Sequence, residues 1–111
     1  MTKDEMFELL HRRILRLDER CGDLAPDSDQ RHKLETERDA LSQRQQQLAA
    51  KIFDEQSSTY QALSGQLKAI DGQIESVIAS LERFEETVAL LRRMVSVADQ
   101  IIGVARGAAL P

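Results

Sequence analysis

Residues 60–106 read YQALSGQLKAIDGQIESVIASLERFEETVALLRRMVSVADQIIGVAR, and this stretch decides the fold. Its apolar positions Leu63, Leu67, Ile70, Ile74, Val77, Leu81, Phe84, Val88, Leu91, Val95, Ala98, Ile102 and Ala105 alternate steps of four and three without a slip. A 3.5-residue period held for about six heptads is a coiled-coil seam. Gly65 and Gly72 lie inside it and each costs roughly 1 kcal/mol against alanine, yet the phase passes through both. The expectation is one helix over 60–106, about 70 Å long at 1.5 Å per residue, and hence an elongated molecule.

Upstream the pattern changes. Ser57-Ser58-Thr59 comes after a break in the register of Leu34, Leu41 and Leu48, and Ser58 with Gln61 has the spacing of a capping box. A turn at 57–59 is expected, with a four-residue stutter in a continuous helix as the alternative. Between about 29 and 56 lies a second helix with a single narrow seam, Leu34, Leu41, Leu48 and Ile52. Its run Ser42-Gln43-Arg44-Gln45-Gln46-Gln47 reads as a solvated face of good helix formers. Ala25-Pro26-Asp27-Ser28 marks a loop at 22–28, since proline disfavours helix at the residue before it and Asp and Ser supply caps.

A first helix is expected over 3–21, opened by the capping-box pair Thr2 and Glu5. Phe7, Leu10, Ile14, Leu17, Cys21 and Leu24 form its stripe, widened by Met6, Leu9 and Leu15. The predicted fold class is therefore all-α. It is an elongated antiparallel helical hairpin or coiled coil with an additional N-terminal helix, a three-helix unit that assembles into an oligomeric bundle. The whole chain, 1–111, is one helical domain.

Composition agrees. Hydrophobic residues make up 41% but aromatics only 4%, with five glycines and two prolines, which suits long helices rather than sheets. Nineteen acids and 15 bases are mixed along the chain for a net charge of -4, without the basic excess that phosphate neutralisation requires, so no nucleic-acid partner is expected. No run of about 18 apolar residues and no signal-like leader is present, and the lone Cys21 suits a reducing cytoplasmic setting.

Little chemistry converges. His11 and His32 are scattered on different helices, phosphate-binding and nucleophile motifs are lacking, and Cys21 sits at a stripe position, so no catalytic residue, metal ligand or cofactor is expected. Two features point to partners. Beyond Val88 a second apolar row, Met94, Val97, Ile101, Val104 and Ala108, runs beside the seam, so that one neighbour cannot cover the end of the helix. The first helix, a second copy or a separate protein must supply the cover. Leu81, Phe84, Val88, Leu91, Met94, Val95, Val97, Ile101, Ile102 and Val104 are the candidate partner-binding residues. Arg12, Arg16 and Arg20, spaced four apart, form a basic ridge suited to an anionic partner or to lipid head groups, or else a solvated face paired with Glu8 and Glu19.

In size and helical pattern the chain resembles groups of small bacterial helical-hairpin proteins, among them export chaperones and secretion-apparatus components. The stretch 57–65, SSTYQALSG, lacks the Trp-x-Gly turn of one such secreted group, and no family residues carry over. The expected function is a non-enzymatic interaction protein, an adaptor, chaperone or assembly subunit, that packs helices with itself or a protein partner. The alternative is a peripheral membrane-surface protein that uses the arginine ridge and the apolar C-terminal helix.

Overall fold

A computed structural model describes residues 1–108, the last of these by its backbone alone; residues 109–111, included in the expected domain, lie outside the described part. The described residues form four helices: α1 (Lys3–Gly22), α2 (Asp29–Ala49), α3 (Ser58–Val77) and α4 (Phe84–Gly103). A two-residue antiparallel bridge joins β1 (Lys51–Ile52) to β2 (Gly107–Ala108). The helices are 20 or 21 residues each, about 30 Å long, and the molecule measures 42 × 27 × 18 Å.

The expected helix over 60–106 is thus two helices, and the three-helix elongated unit is a four-helix bundle. The sequence pattern survives the break for a geometric reason. Val77 closes α3 and Phe84 opens α4 seven residues later, so the loop at 78–83 advances the chain by one heptad and keeps the seam in phase. No glycine or proline marks the site. Arg83 stands at the N-cap of α4 without a side-chain cap bond, and the turn is closed by main-chain bonds from Ser80 N to Val77 O (3.0 Å) and Phe84 N to Leu81 O (3.3 Å). The stop signal is tertiary: Arg20 of α1 donates Nε to the Ile78 carbonyl at 3.1 Å, satisfying an acceptor freed where α3 ends.

Folding back lets one seam cover itself. Leu63, Leu67, Ile70, Ile74 and Val77 of α3 are buried, as are Phe84, Val88, Leu91, Met94, Val97 and Ile101 of α4. Each such side chain contributes roughly 1.5–3 kcal/mol of apolar burial. Around the bundle α1 neighbours α2 and α3, and α4 neighbours α2 and α3. α1 runs parallel to α3, as Arg13–Asp71 and Arg20–Ile78 pairings show, and α2 runs parallel to α4, as Lys33–Glu85 and Arg44–Asp99 show. Two hairpins of matched dimensions therefore lie side by side, their helices starting 55 residues apart, from Lys3 to Ser58 and from Asp29 to Phe84. The expected hairpin between the second helix and the helix beyond 57–59 is replaced by pairing of α2 with α4, and α4 is covered by α2 and α3 rather than by α1.

The local signals fare well. Thr2 and Glu5 form both bonds of the capping box, Thr2 N to Glu5 Oε1 at 2.9 Å and Glu5 N to Thr2 Oγ1 at 3.1 Å. Ser28 caps α2 through Arg31 N. The second helix ends at Ala49 rather than near 56, and the turn spans 50–57, where Ser57, not Ser58, is the cap that accepts from Tyr60 N at 3.1 Å. Leu34, Leu41 and Leu48 are buried as expected, while Ile52 leaves the seam for β1 and is 43% exposed. Lys3 ties both ends of this junction, its backbone N to Glu55 Oε2 and its Nζ to the carbonyls of Ala49 and Lys51.

Phe53 and Tyr60 pack at that end with ring centroids 5.5 Å apart, and the Tyr60 hydroxyl is buried with no hydrogen-bond partner. Burial pushes its pKa up to about 12 from an ordinary value near 10. The folded chain holds that proton where the unfolded chain releases it, so this group withdraws stability as pH rises from 10 towards 12. Tyr60→Phe removes an unpaired hydroxyl, so at pH 7 it should leave stability unchanged or raise it by about 1 kcal/mol. Urea melts of both forms from pH 7 to the alkaline range should show the wild type losing more stability above pH 10 than the variant.

Candidate functional site

The apolar residues expected to meet a partner divide by burial. Phe84, Val88, Leu91, Met94, Val97 and Ile101 are at most 6% exposed and packed within the chain's own bundle. Val95 and Ile102 are half-buried against the same core, Leu81 sits in the 78–83 loop at 58% exposure, and Val104 lies just past α4 at 38%. The long α4 face is therefore core, and only Leu81 and Val104 of that set remain on the surface.

The arginine ridge is likewise divided. Arg20 is tied to the Ile78 carbonyl and lies 3.6 Å from Asp23, and Arg16 lies 3.6 Å from Glu19. Arg12 is exposed and makes no ion pair among the described residues. Cys21 is buried, and desolvation pushes its thiol pKa up, as befits a small core residue. His11 and His32 are both exposed, and among the described residues no group of three or more His, Cys, Asp or Glu is placed to hold a metal ion.

The residue that sequence reasoning missed is Arg13, which is 4% exposed. Its Nε donates to Asp71 Oδ1 at 2.7 Å, and its Nη2 donates to Glu75 Oε2 at 2.8 Å and to the Asp71 carbonyl at 3.3 Å. Its Nη1 has no acceptor. The signal existed only as an arginine at a stripe position of α1 and two acids at four-residue spacing on α3, which a local reading assigns to solvated flanks. Bringing them together requires α1 and α3 to be parallel neighbours, a tertiary fact.

Arg13 lies on a groove along α1 and α3, the neighbouring helices that touch least. Two concavities of about 380 and 420 Å³ run along it and share Leu9 and Arg12. Leu15 stands on its rim, 49% exposed. By contrast the α2/α4 seam is closed by three ion pairs, Lys33–Glu85 at 3.0 Å, Arg44–Asp99 at 2.8 Å and Arg92–Glu37 at 3.7 Å. Along the groove, Glu8 and Lys68 make no ion pair among the described residues.

The outward face of α3, apart from the Lys68, Asp71 and Glu75 positions that line the groove, carries small side chains. Ala62, Gly65, Ala69, Gly72 and Ser76 recur at steps of three and four and all are exposed, with Ser76 beside α4 residues in a separate concavity. A Cβ added at Gly65 or Gly72 would meet nothing within 4 Å, and neither glycine has a positive φ. Nothing inside the chain requires glycine at either position, although each costs about 1 kcal/mol of helix stability relative to alanine.

Compared with known proteins, the chain matches no family model, no curated protein and no solved structure. Among the described residues no helix is long and apolar enough to cross a membrane.

Arg13 ties α1 to α3 at the groove floor. Arg13→Ala leaves Asp71, with 24% of its side chain exposed, without its cation and should cost about 3 kcal/mol, read as a lower urea midpoint. Arg12→Ala, at an unpaired exposed site, should move that midpoint by less than about 0.5 kcal/mol.

Proposed function

We propose that this chain is a non-enzymatic helical interaction protein, an adaptor, chaperone or assembly subunit, whose binding surface is the α1/α3 groove. The observation that carries the reading is the contrast between the two parallel seams. α2 and α4 are laced shut by ion pairs, whereas α1 and α3 leave a groove with charged groups unpaired and Leu15 on the rim. Helix-lined grooves with apolar anchors between charged walls suit a helix of a protein partner. The anchors belong on this face, because most of the apolar α4 residues are occupied by the chain's own α2 and α3.

The enzyme reading draws no support from the site, where the carboxylates of Asp71 and Glu75 are engaged by a structural arginine. The membrane-surface reading keeps Arg12 and Arg16 but loses its apolar half, since Met94, Val97 and Ile101 are core.

Leu15→Asp tests the groove. At 49% exposure the change should leave the circular-dichroism melt within a few degrees of wild type while abolishing capture of the specific partner from native lysate. Equal capture by wild type and variant would contradict the assignment of this face.

A further inference from the structure

We infer that α4 can leave its own bundle and complete that of a second copy, with 78–83 as the hinge, so that the chain has an exchanged dimer beside the monomer. The inference is independent of the α1/α3 groove. The surfaces that meet are those already joined inside one chain, α4 against α2 and α3, so their fit is on view in the monomer. Lys33–Glu85, Arg44–Asp99 and Arg92–Glu37 re-form between chains instead of within one. What differs between the two forms is the path of the hinge.

Nothing in 78–83 demands a turn. Ile78, Ala79, Ser80, Leu81, Glu82 and Arg83 include no glycine or proline, and none of them has a positive φ. Alanine, leucine, glutamate and arginine are strong helix formers, and Arg83 stands where a Ser, Thr, Asp or Asn cap would favour a helix start. The turn is held by main-chain bonds and by Arg20, whose Nε claims the Ile78 carbonyl at 3.1 Å. In a helix carried through the hinge that carbonyl accepts from Glu82 N instead, so Arg20 is the latch. The other two connections are fixed more firmly, 22–28 by Pro26 and the Ser28 cap, 50–57 by Lys3 and the β1–β2 bridge.

Two features that the monomer leaves without a reason then gain one. An intramolecular hairpin does not need its two helices in phase, yet Val77, Leu81 and Phe84 continue the steps of four and three straight through the turn. Leu81 holds a stripe position but is 58% exposed in the turn. In the exchanged dimer the two-fold axis passes midway between Val77 and Phe84 and brings the two Leu81 side chains together. The exposed 22–28 loop lies at the same end, as the Arg20–Ile78 bond shows, and shifts where the two bundles meet.

Within one chain α4 is presented to its site at an effective concentration on the order of 1 mM, so exchange competes only at comparable chain concentrations and the micromolar protein is monomeric. Exchange withdraws Phe84, Val88, Leu91, Met94 and Ile101 from the core, so it is slow and a dimer once formed persists through gel filtration. The full chain refolded at about 1 mM should yield a fraction of twice the 12.5 kDa mass that is absent after refolding at about 10 µM. Spin labels at Thr59 and Gln100 in a Cys21→Ala background, diluted with excess unlabelled chain, report the separation within one chain. It should be about 60 Å in the dimer and below about 30 Å in the monomer. Arg20→Ala should raise the dimer share several-fold. Leu81→Gly places a poor helix former in both hinges and removes their apolar contact, and should lower that share about tenfold or more. No dimer from either wild type or Arg20→Ala at about 1 mM, a dimer whose intrachain separation stays below about 30 Å, or a dimer share indifferent to both substitutions overturns the inference. The groove assignment stands or falls separately, by Leu15→Asp in the monomer.

Discussion

An apolar seam must be covered, and the cover available to this one is itself. From Leu63 to Ala105 the chain repeats an apolar residue every 3.5 positions, and a single straight helix of that length would leave most of them in water. Turning at 78–83 lays α4 against α3 and takes both apolar rows out of water together. The α1–α2 hairpin has matching dimensions and closes the bundle, α2 on α4 and α1 on α3. Folding the seam also consumes the surface that its doubled C-terminal end would have offered, because Met94, Val97 and Ile101 point into the chain's own core.

The two parallel seams then carry different duties. Between α2 and α4, three ion pairs stand over a dry row of Leu34, Leu41 and Leu48 against α4 residues. Between α1 and α3 the work is concentrated in Arg13, whose guanidinium bridges two acids of α3, and in Arg20, which closes the end of α3. A buried guanidinium fixes register more than it adds stability, since desolvation offsets much of the attraction. It also holds the helices in place with few close contacts between them, which leaves a groove along that edge.

Helix content, the first loop and the caps at Thr2 and Ser28 were legible because each depends on residues within four positions of one another. The buried row of α2 was legible too, since Leu34, Leu41 and Leu48 keep one heptad position throughout. The break at 78–83 was not. It lacks glycine, proline and a side-chain cap, it spans one heptad between Val77 and Phe84, and its carbonyl is satisfied by Arg20 from 58 residues away. The candidate site was hidden for the same reason. Arg13, Asp71 and Glu75 read locally as ordinary polar positions, and they meet only because α1 and α3 lie parallel as neighbours. Arg12 and Arg16 of the anticipated ridge do line the groove, whereas Arg20 serves the fold.

The reversal at 78–83 is the most direct point of attack. Spin labels at the exposed positions Thr59 and Gln100, in a Cys21→Ala background, measure it by pulsed dipolar spectroscopy. A continuous helix separates them by about 60 Å. The folded-back hairpin places the start of α3 and the end of α4 at the same end of the bundle and predicts a separation below about 30 Å, with packed helix axes only 8–10 Å apart. A distribution centred near 60 Å in the native protein would contradict the four-helix account and return the seam to an intermolecular coiled coil.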